Sequence, residues 1–182
     1  MADSKKLRRL ETRLARFESE HAIRACMNRY MVLCDALDAA TPLDELVGLF
    51  TRDAIWEGIG EKYRGTFGRL VGRGALREMF AGYMTEPAHF SVNVHFLTSE
   101  LIELSSASTA RGSWVMLQTS TFADGRSHLN AARLTVDFAR GRGRAAELRA
   151  PRGLAFLGCV ALLDPLRPEA AAAIRRCAEA GI

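Results

Sequence analysis

Residues 90–104, FSVNVHFLTSELIEL, are the stretch on which the fold turns. Apolar residues upstream of it recur every three or four positions, whereas from His89 onward the period is two. Phe90, Val92, Val94 and Phe96 share one side of the predicted strand, and His89, Ser91, Asn93 and His95 share the other. Two more strand-like runs follow, STARGSWVMLQTSTF (108–122) and SHLNAARLTVDFA (127–139). Ala123-Asp124-Gly125-Arg126 supplies an Asp-Gly hairpin turn between them. Consecutive period-two runs with short connections predict an antiparallel meander. Burying both sides of residues 89–96 would desolvate the polar set, so a bulge or a mostly polar pocket wall is expected near Asn93.

Working back towards the N-terminus, residues 4–39 read as helix. Leu7, Leu10, Leu14 and Phe17 begin an apolar stripe that Ile23, Cys26, Met27, Tyr30 and Met31 continue. A break is expected at Ser19 or Glu20, separating an N-terminal extension (1–18) from the domain helix. Thr41-Pro42 ends the segment, and LDELVGLF resumes as a short helix with Thr41 as its N-cap and Pro42 at its first position. DAIWEGIG (53–60) has the Trp and Ile of a strand, YRGTFGRLVGRG is a glycine-rich connection, and GALREMFAGYM is a third helix. Helices first and a meandering antiparallel sheet afterwards predict an α+β domain rather than a βαβ one. The domain is placed at 19–150, with GRGRAAELRA (141–150) as its last strand. Residues 151–182 form a C-terminal extension, in which GLAFLGCVALL is an apolar run and PEAAAAIRRCAEAG a closing helix.

Bulk properties narrow the function. A chain of 182 residues, 48% apolar and 25% charged, suits one soluble domain with a core of its own. No apolar run reaches bilayer length and the N-terminus is charged throughout, which argues against a membrane span or signal peptide and makes a cytoplasmic location the expectation. The net charge of +4 is mild, and KKLRR is followed at once by Glu11, Glu18 and Glu20, a solvated helix face rather than a nucleic-acid footprint. Cys26, Cys34, Cys159 and Cys177 lack zinc-ligand spacing and read as small buried hydrophobes, so no metal is expected. No glycine-rich phosphate loop or nucleophile elbow stands in its required context, and no cofactor is expected.

One constellation carries chemistry. Tyr30 and Asp35, near the end of the long helix, and His89, at the head of the decisive strand, supply an acid, a carboxylate and an imidazole. An acid, a base and a group to orient the base suffice for proton transfer. Asp35 follows Met31 by one helical turn and can share the stripe facing the sheet. Tyr30 is rotated well round from it, so both face one pocket only at the helix edge. Taken alone, His89 also fits a structural histidine, Asp35 a solvated turn residue and Tyr30 a core aromatic. Asn93 is a candidate pocket hydrogen-bonder, and His95 a further candidate on the same strand side.

The combination of Tyr30-xxxx-Asp35, LFTRDAIWE and His89-Phe-x-x-Asn93 resembles the SnoaL-like branch of the nuclear-transport-factor-2 superfamily over about Glu18 to Arg149. Within it the chain is most similar to the bile-acid 7α-dehydratase, lindane dehydrochlorinase and scytalone dehydratase group. The resemblance implies a cone of N-terminal helices packed on a curved, mainly antiparallel sheet enclosing a pocket, and a cofactor-free lyase or isomerase acting on a small apolar ring-containing substrate. His89 would take a proton from carbon, Asp35 would hold the histidine, and Tyr30 would assist the departing oxygen. It also implies Trp56 as a pocket-lining aromatic and an arginine on the last strand, at Arg149 or Arg152. The aromatic usual in that strand is replaced by alanines in GRAAEL. Polyketide cyclisation, or a non-catalytic ligand-binding or assembly module, are the rival readings. An exposed sheet needs cover, so a homodimer or homotrimer is expected, with the Leu7/Leu10/Leu14/Phe17 stripe as a packing surface.

Overall fold

A computed structural model describes residues 2–60, 67–140 and 154–163, together with Arg175, Arg176 and Glu179 near the C-terminus. The first helix, α1 (Ala2–Asp35), runs without the break expected near Ser19; Ser19 instead donates its hydroxyl to the Ala15 carbonyl inside the continuing helix. A short helix α2 (Leu43–Gly48) follows, then strands β1 (Phe50–Ile59) and β2 (Arg69–Val71), helix α3 (Gly72–Ala81), and strands β3 (Phe90–Leu104), β4 (Thr109–Phe122), β5 (Ser127–Arg140) and β6 (Leu154–Leu163).

Thr41 does not cap α2. Its hydroxyl donates to the Ala36 carbonyl and accepts from the Asp38 amide, closing the turn out of α1, while the Pro42 carbonyl accepts the first α2 amides, Glu45 and Leu46. The Asp-Gly turn forms as read: Gly125 has φ 84°, and Phe122 and Arg126 close the loop at 2.8 Å. A left-handed residue here matches the twist of the flanking strands at little steric cost to glycine.

All six strands join one open sheet in the order β2-β1-β6-β5-β4-β3. Every pairing is antiparallel except β1 with β6. The expected domain boundary at residue 150 falls short of β6, which lies in the middle of the sheet. Leu154–Leu163, within the apolar run, is therefore an internal strand. The last strand expected at 141–150 lies outside the described residues, as do Arg149 and Arg152. Arg175, Arg176 and Glu179, inside the expected closing helix, are helical.

Two register shifts bend β3, one between Phe90 and Val92 and another between Thr98 and Leu101, where Ser99 takes φ 51°. Bulges increase local twist and curl a sheet, and the first is the one expected near Asn93. The curled sheet wraps the C-terminal half of α1. Ile23, Met27, Leu46, Phe50, Leu76, Val136 and Phe138 form the fully buried centre. Trp114 packs edge-on to Phe138, and its indole N–H donates to Glu100, which also receives Arg24 of α1 at 2.7 Å. Gly112 is required beside it, because a Cβ there would meet Trp114 Cζ3 at 2.6 Å and Phe138 at 3.2 Å. Cys26 and Cys34 are buried, and burial pushes the Cys26 thiol up to about 12. No helix among the described residues is long and apolar enough to cross a membrane.

Candidate active site

Between α1, α3 and the concave face of the sheet lies a cavity of about 630 Å³. Its polar centre is built where α1 stops. The last carbonyls of a helix have no partner within it, and here β3 supplies one. Asn93 Nδ2 donates to the Cys34 carbonyl at 2.9 Å. With that bond in place, the next helix residue meets the next residue on the same side of the strand. Asp35 Oδ1 accepts the His95 main-chain N–H at 2.9 Å and lies 2.6 Å from His95 Nδ1.

The expected pairing of Asp35 with His89 is thus replaced by a pairing with His95. The reason is topological. His89 precedes the first residue of β3 and lies beyond the Phe90/Val92 bulge, whereas α1 docks at the level of Asn93. An ionised carboxylate can only accept, so in the neutral imidazole Nδ1 of His95 carries the proton and Nε2 the lone pair. His95 lines the cavity, Asp35 stands behind it, and the side chains are largely buried.

His89 also lines the cavity, within an aromatic cluster. Its ring meets Tyr83 at 5.6 Å, Phe90 at 4.5 Å and Phe122 at 5.6 Å, all edge-on. His128 stacks on the far side of that cluster, 5.1 Å from Phe122. Burial raises the Tyr83 phenol above its ordinary value, so it stays neutral across the physiological range.

Tyr30, from the buried stripe of α1, lines the same cavity. It is held edge-on against Phe50 and Phe80, and its hydroxyl oxygen accepts the Trp56 indole N–H at 3.3 Å. Trp56 is itself a lining residue. The helix ends at Asp35, so Tyr30 and the carboxylate reach the site from different sides of α1 rather than along one stripe.

Asn93 is engaged within the protein. Besides binding Cys34, its Oδ1 accepts from Gln118 Nε2 and Ser120 Oγ, both at 2.8 Å. Gln118 Oε1 in turn accepts from Asn130 at 3.4 Å. Strand register explains this band, because His95, Gln118 and Asn130 stand opposite one another on β3, β4 and β5, and so do Asn93, Ser120 and His128. Gln118, Ser120, Asn130 and Tyr83 went unread in the sequence, where each is one polar residue among many. Only the pairing of the strands brings the first three into line. Towards the interior the lining turns apolar with Met116, Ala132 and Leu134. Tyr30, Trp56, His89, Asn93 and His95 therefore share one cavity, Asp35 reaches it through His95, and Arg149 lies outside the described residues.

Solved structures share this architecture. The hexachlorocyclohexane dehydrochlorinase LinA-type3 from Novosphingobium barchaimii LL02 superposes with a TM-score of 0.63 at 19% identity, over 85% of this chain and 94% of that one. A candidate scytalone dehydratase of Novosphingobium aromaticivorans DSM 12444 gives 0.63 at 15% identity, over 82% and 86%. An NTF2-like protein with a cystatin-like fold, also from Novosphingobium aromaticivorans, gives 0.64 at 22% identity, over 90% and 93%. At such identities the likeness is one of fold. The sequence profile of the SnoaL-like domain matches residues 15–145, most of the chain and every residue that lines the cavity, and the protein belongs to that family.

Proposed function

We propose that the protein is a cofactor-independent lyase or isomerase of the dehydratase type, with His95 as its base. The observation that carries this reading is the 2.6 Å contact between Asp35 and His95 Nδ1 at the wall of a largely apolar cavity. Nε2 of His95 takes a proton from a substrate carbon. Asp35 stabilises the imidazolium that forms and prevents the ring from turning. The electron pair left on carbon forms a new double bond, and either a leaving group departs from the neighbouring carbon or the proton returns elsewhere along the conjugated system. Tyr30, held by Trp56, is the candidate donor to a departing or developing oxyanion. His89 packs the substrate ring against the Tyr83/Phe122 cluster.

The zoning of the cavity supports the substrate class. An apolar interior, a hydrogen-bonding band at the level of His95 and an aromatic wall suit a small ring compound with one carbonyl or hydroxyl group. Similarity in fold to a dehydrochlorinase and a candidate dehydratase supports elimination over other proton-transfer chemistry. A panel of hexachlorocyclohexane, scytalone and polyketide cyclase substrates, followed by product analysis, tests the reading. Halide or water loss that disappears in His95→Gln supports it. Turnover unaffected by that change overturns it, and tight binding of the panel without turnover favours a binding module.

A further inference from the structure

The first half of α1 stands clear of the domain. Leu7, Leu10, Leu14 and Phe17 are 57%, 50%, 59% and 60% exposed, while the same helix is buried from Ala22 onward at Ile23, Cys26 and Met27. Four large apolar side chains on one side of a solvated helix call for a partner. Their spacing of three, four and three residues is that of alternating a and d positions in a heptad.

The charges flanking this seam say what the partner is. With Leu7 and Leu14 at a and Leu10 and Phe17 at d, the charged g positions are Lys6, Arg13 and Glu20 and the charged e positions Glu11 and Glu18. In a parallel, in-register pair each g residue faces the e residue of the partner's next heptad. Lys6 then meets Glu11 and Arg13 meets Glu18, on both sides of the seam. In an antiparallel pair g faces g and e faces e, so Arg13 would meet Arg13 and Glu11 would meet Glu11 of the partner, and only Lys6 with Glu20 would join opposite charges. Residues five apart are not neighbours on one helix, and among the described residues none of Lys6, Glu11, Arg13 and Glu18 has an intrachain ion pair. Glu20, by contrast, is already engaged by Arg16 and Arg24.

We propose that residues 2–18 dock onto the same segment of a second copy of this chain as a parallel two-stranded coiled coil. Two heptads alone would be marginal because a helix is costly to nucleate. Here the nucleus is provided, since the segment runs without interruption into a helix that the domain already holds by its buried face.

Charge reversal in the full chain tests the proposal by sedimentation. Lys6→Glu with Arg13→Glu places acid opposite acid, and Glu11→Lys with Glu18→Lys places base opposite base. Each variant alone should self-associate at least about tenfold more weakly than the parent, four attractive pairs having turned repulsive. An equimolar mixture of the two should regain the parental association as a heterodimer. Leu14→Cys, at an a position, should form an interchain disulfide on oxidation that the parent does not form, because only a parallel pairing brings residue 14 of both chains together. All substituted side chains are solvent-facing, so far-UV circular dichroism should stay parental. Association unchanged by both reversals, as expected if the sheet alone joined the copies, overturns the proposal. So does a mixture that stays as weak as its components, or a Leu14→Cys chain that does not cross-link.

Discussion

One oxygen of Asp35 binds His95 twice, through the main-chain amide at 2.9 Å and through Nδ1 of the ring at 2.6 Å. The first contact fixes where β3 meets the end of α1, and the second fixes the tautomer and rotation of the imidazole. A single carboxylate thereby couples the docking of a helix to the orientation of a base.

Asp35→Asn separates the docking from the charge. The amide oxygen can still accept from the His95 main chain, so the fold should persist with an unchanged thermal midpoint. The same oxygen can still accept from Nδ1, but the negative charge that stabilises the imidazolium is lost. Turnover on any substrate found should fall by about a hundredfold or more, within the range for general base catalysis. Parental turnover in a folded Asp35→Asn protein would remove the dyad from the mechanism.

The two imidazoles are expected to differ in kind. His95→Gln should lower kcat by at least about a hundredfold. His89→Gln should act mainly on KM, because its ring is packed against Tyr83, Phe90 and Phe122 rather than against a carboxylate. Steady-state kinetics on both variants decide this, and a kcat loss confined to His89→Gln would return the base to the head of β3.

Gly112→Ala tests the packing under the sheet. The added methyl would press on the buried Trp114 ring and lie 3.2 Å from Phe138. Overpacking of this kind costs about 1–3 kcal/mol, which urea unfolding should show as a lower midpoint with an unchanged slope.

Acid should weaken the join between α1 and α2. Arg29 makes a bidentate pair with Glu45, and this hydrogen-bonded guanidinium holds the Glu45 carboxyl below its ordinary value. A carboxyl depressed in the folded state contributes stability above its unfolded value and loses it as pH falls through the folded value. The thermal midpoint of Glu45→Gln should therefore lie below the parent's at neutral pH, and the gap should close as the pH falls below the ordinary carboxylate range. A gap that stays constant or widens on acidification would deny the pair this role. Both partners are partly exposed, so added salt should also narrow it.

Asn93→Ala should destabilise without abolishing the fold. The change leaves the Cys34 carbonyl without its 2.9 Å donor and removes the acceptor shared by Gln118 and buried Ser120. The Cys34 carbonyl keeps the 3.4 Å Leu37 amide, so the main cost is that of the lost Asn93 acceptor, about 1–3 kcal/mol for a buried polar group deprived of its partner. Hydrogen exchange should speed up first at the C-terminal turn of α1 and the start of β3, and unchanged protection there would refute the docking role.

Much of this was legible in the sequence. The change of period at His89 separates helices from sheet, and an Asp-Gly pair between two alternating runs permits little but a hairpin, because both signals depend on residues close along the chain. Tyr30, His89 and Asn93 reach one cavity, as their positions on the apolar helix stripe and on one strand side suggested, and Trp56, which the family resemblance implied, joins them. β6 was misplaced because an apolar run has no period of its own, and only pairing with β1 and β5 identifies it as a strand.

Local order along the chain thus determined the helices, the three-run meander and which residues of β3 point together. His89, Asn93 and His95 are equivalent at that level, since alternation carries no information about height along a strand. Which imidazole meets Asp35 was decided by tertiary contacts: the bulge after Phe90 and the Asn93 bond to the end of α1 set the height at which helix crosses sheet, and that height selects His95.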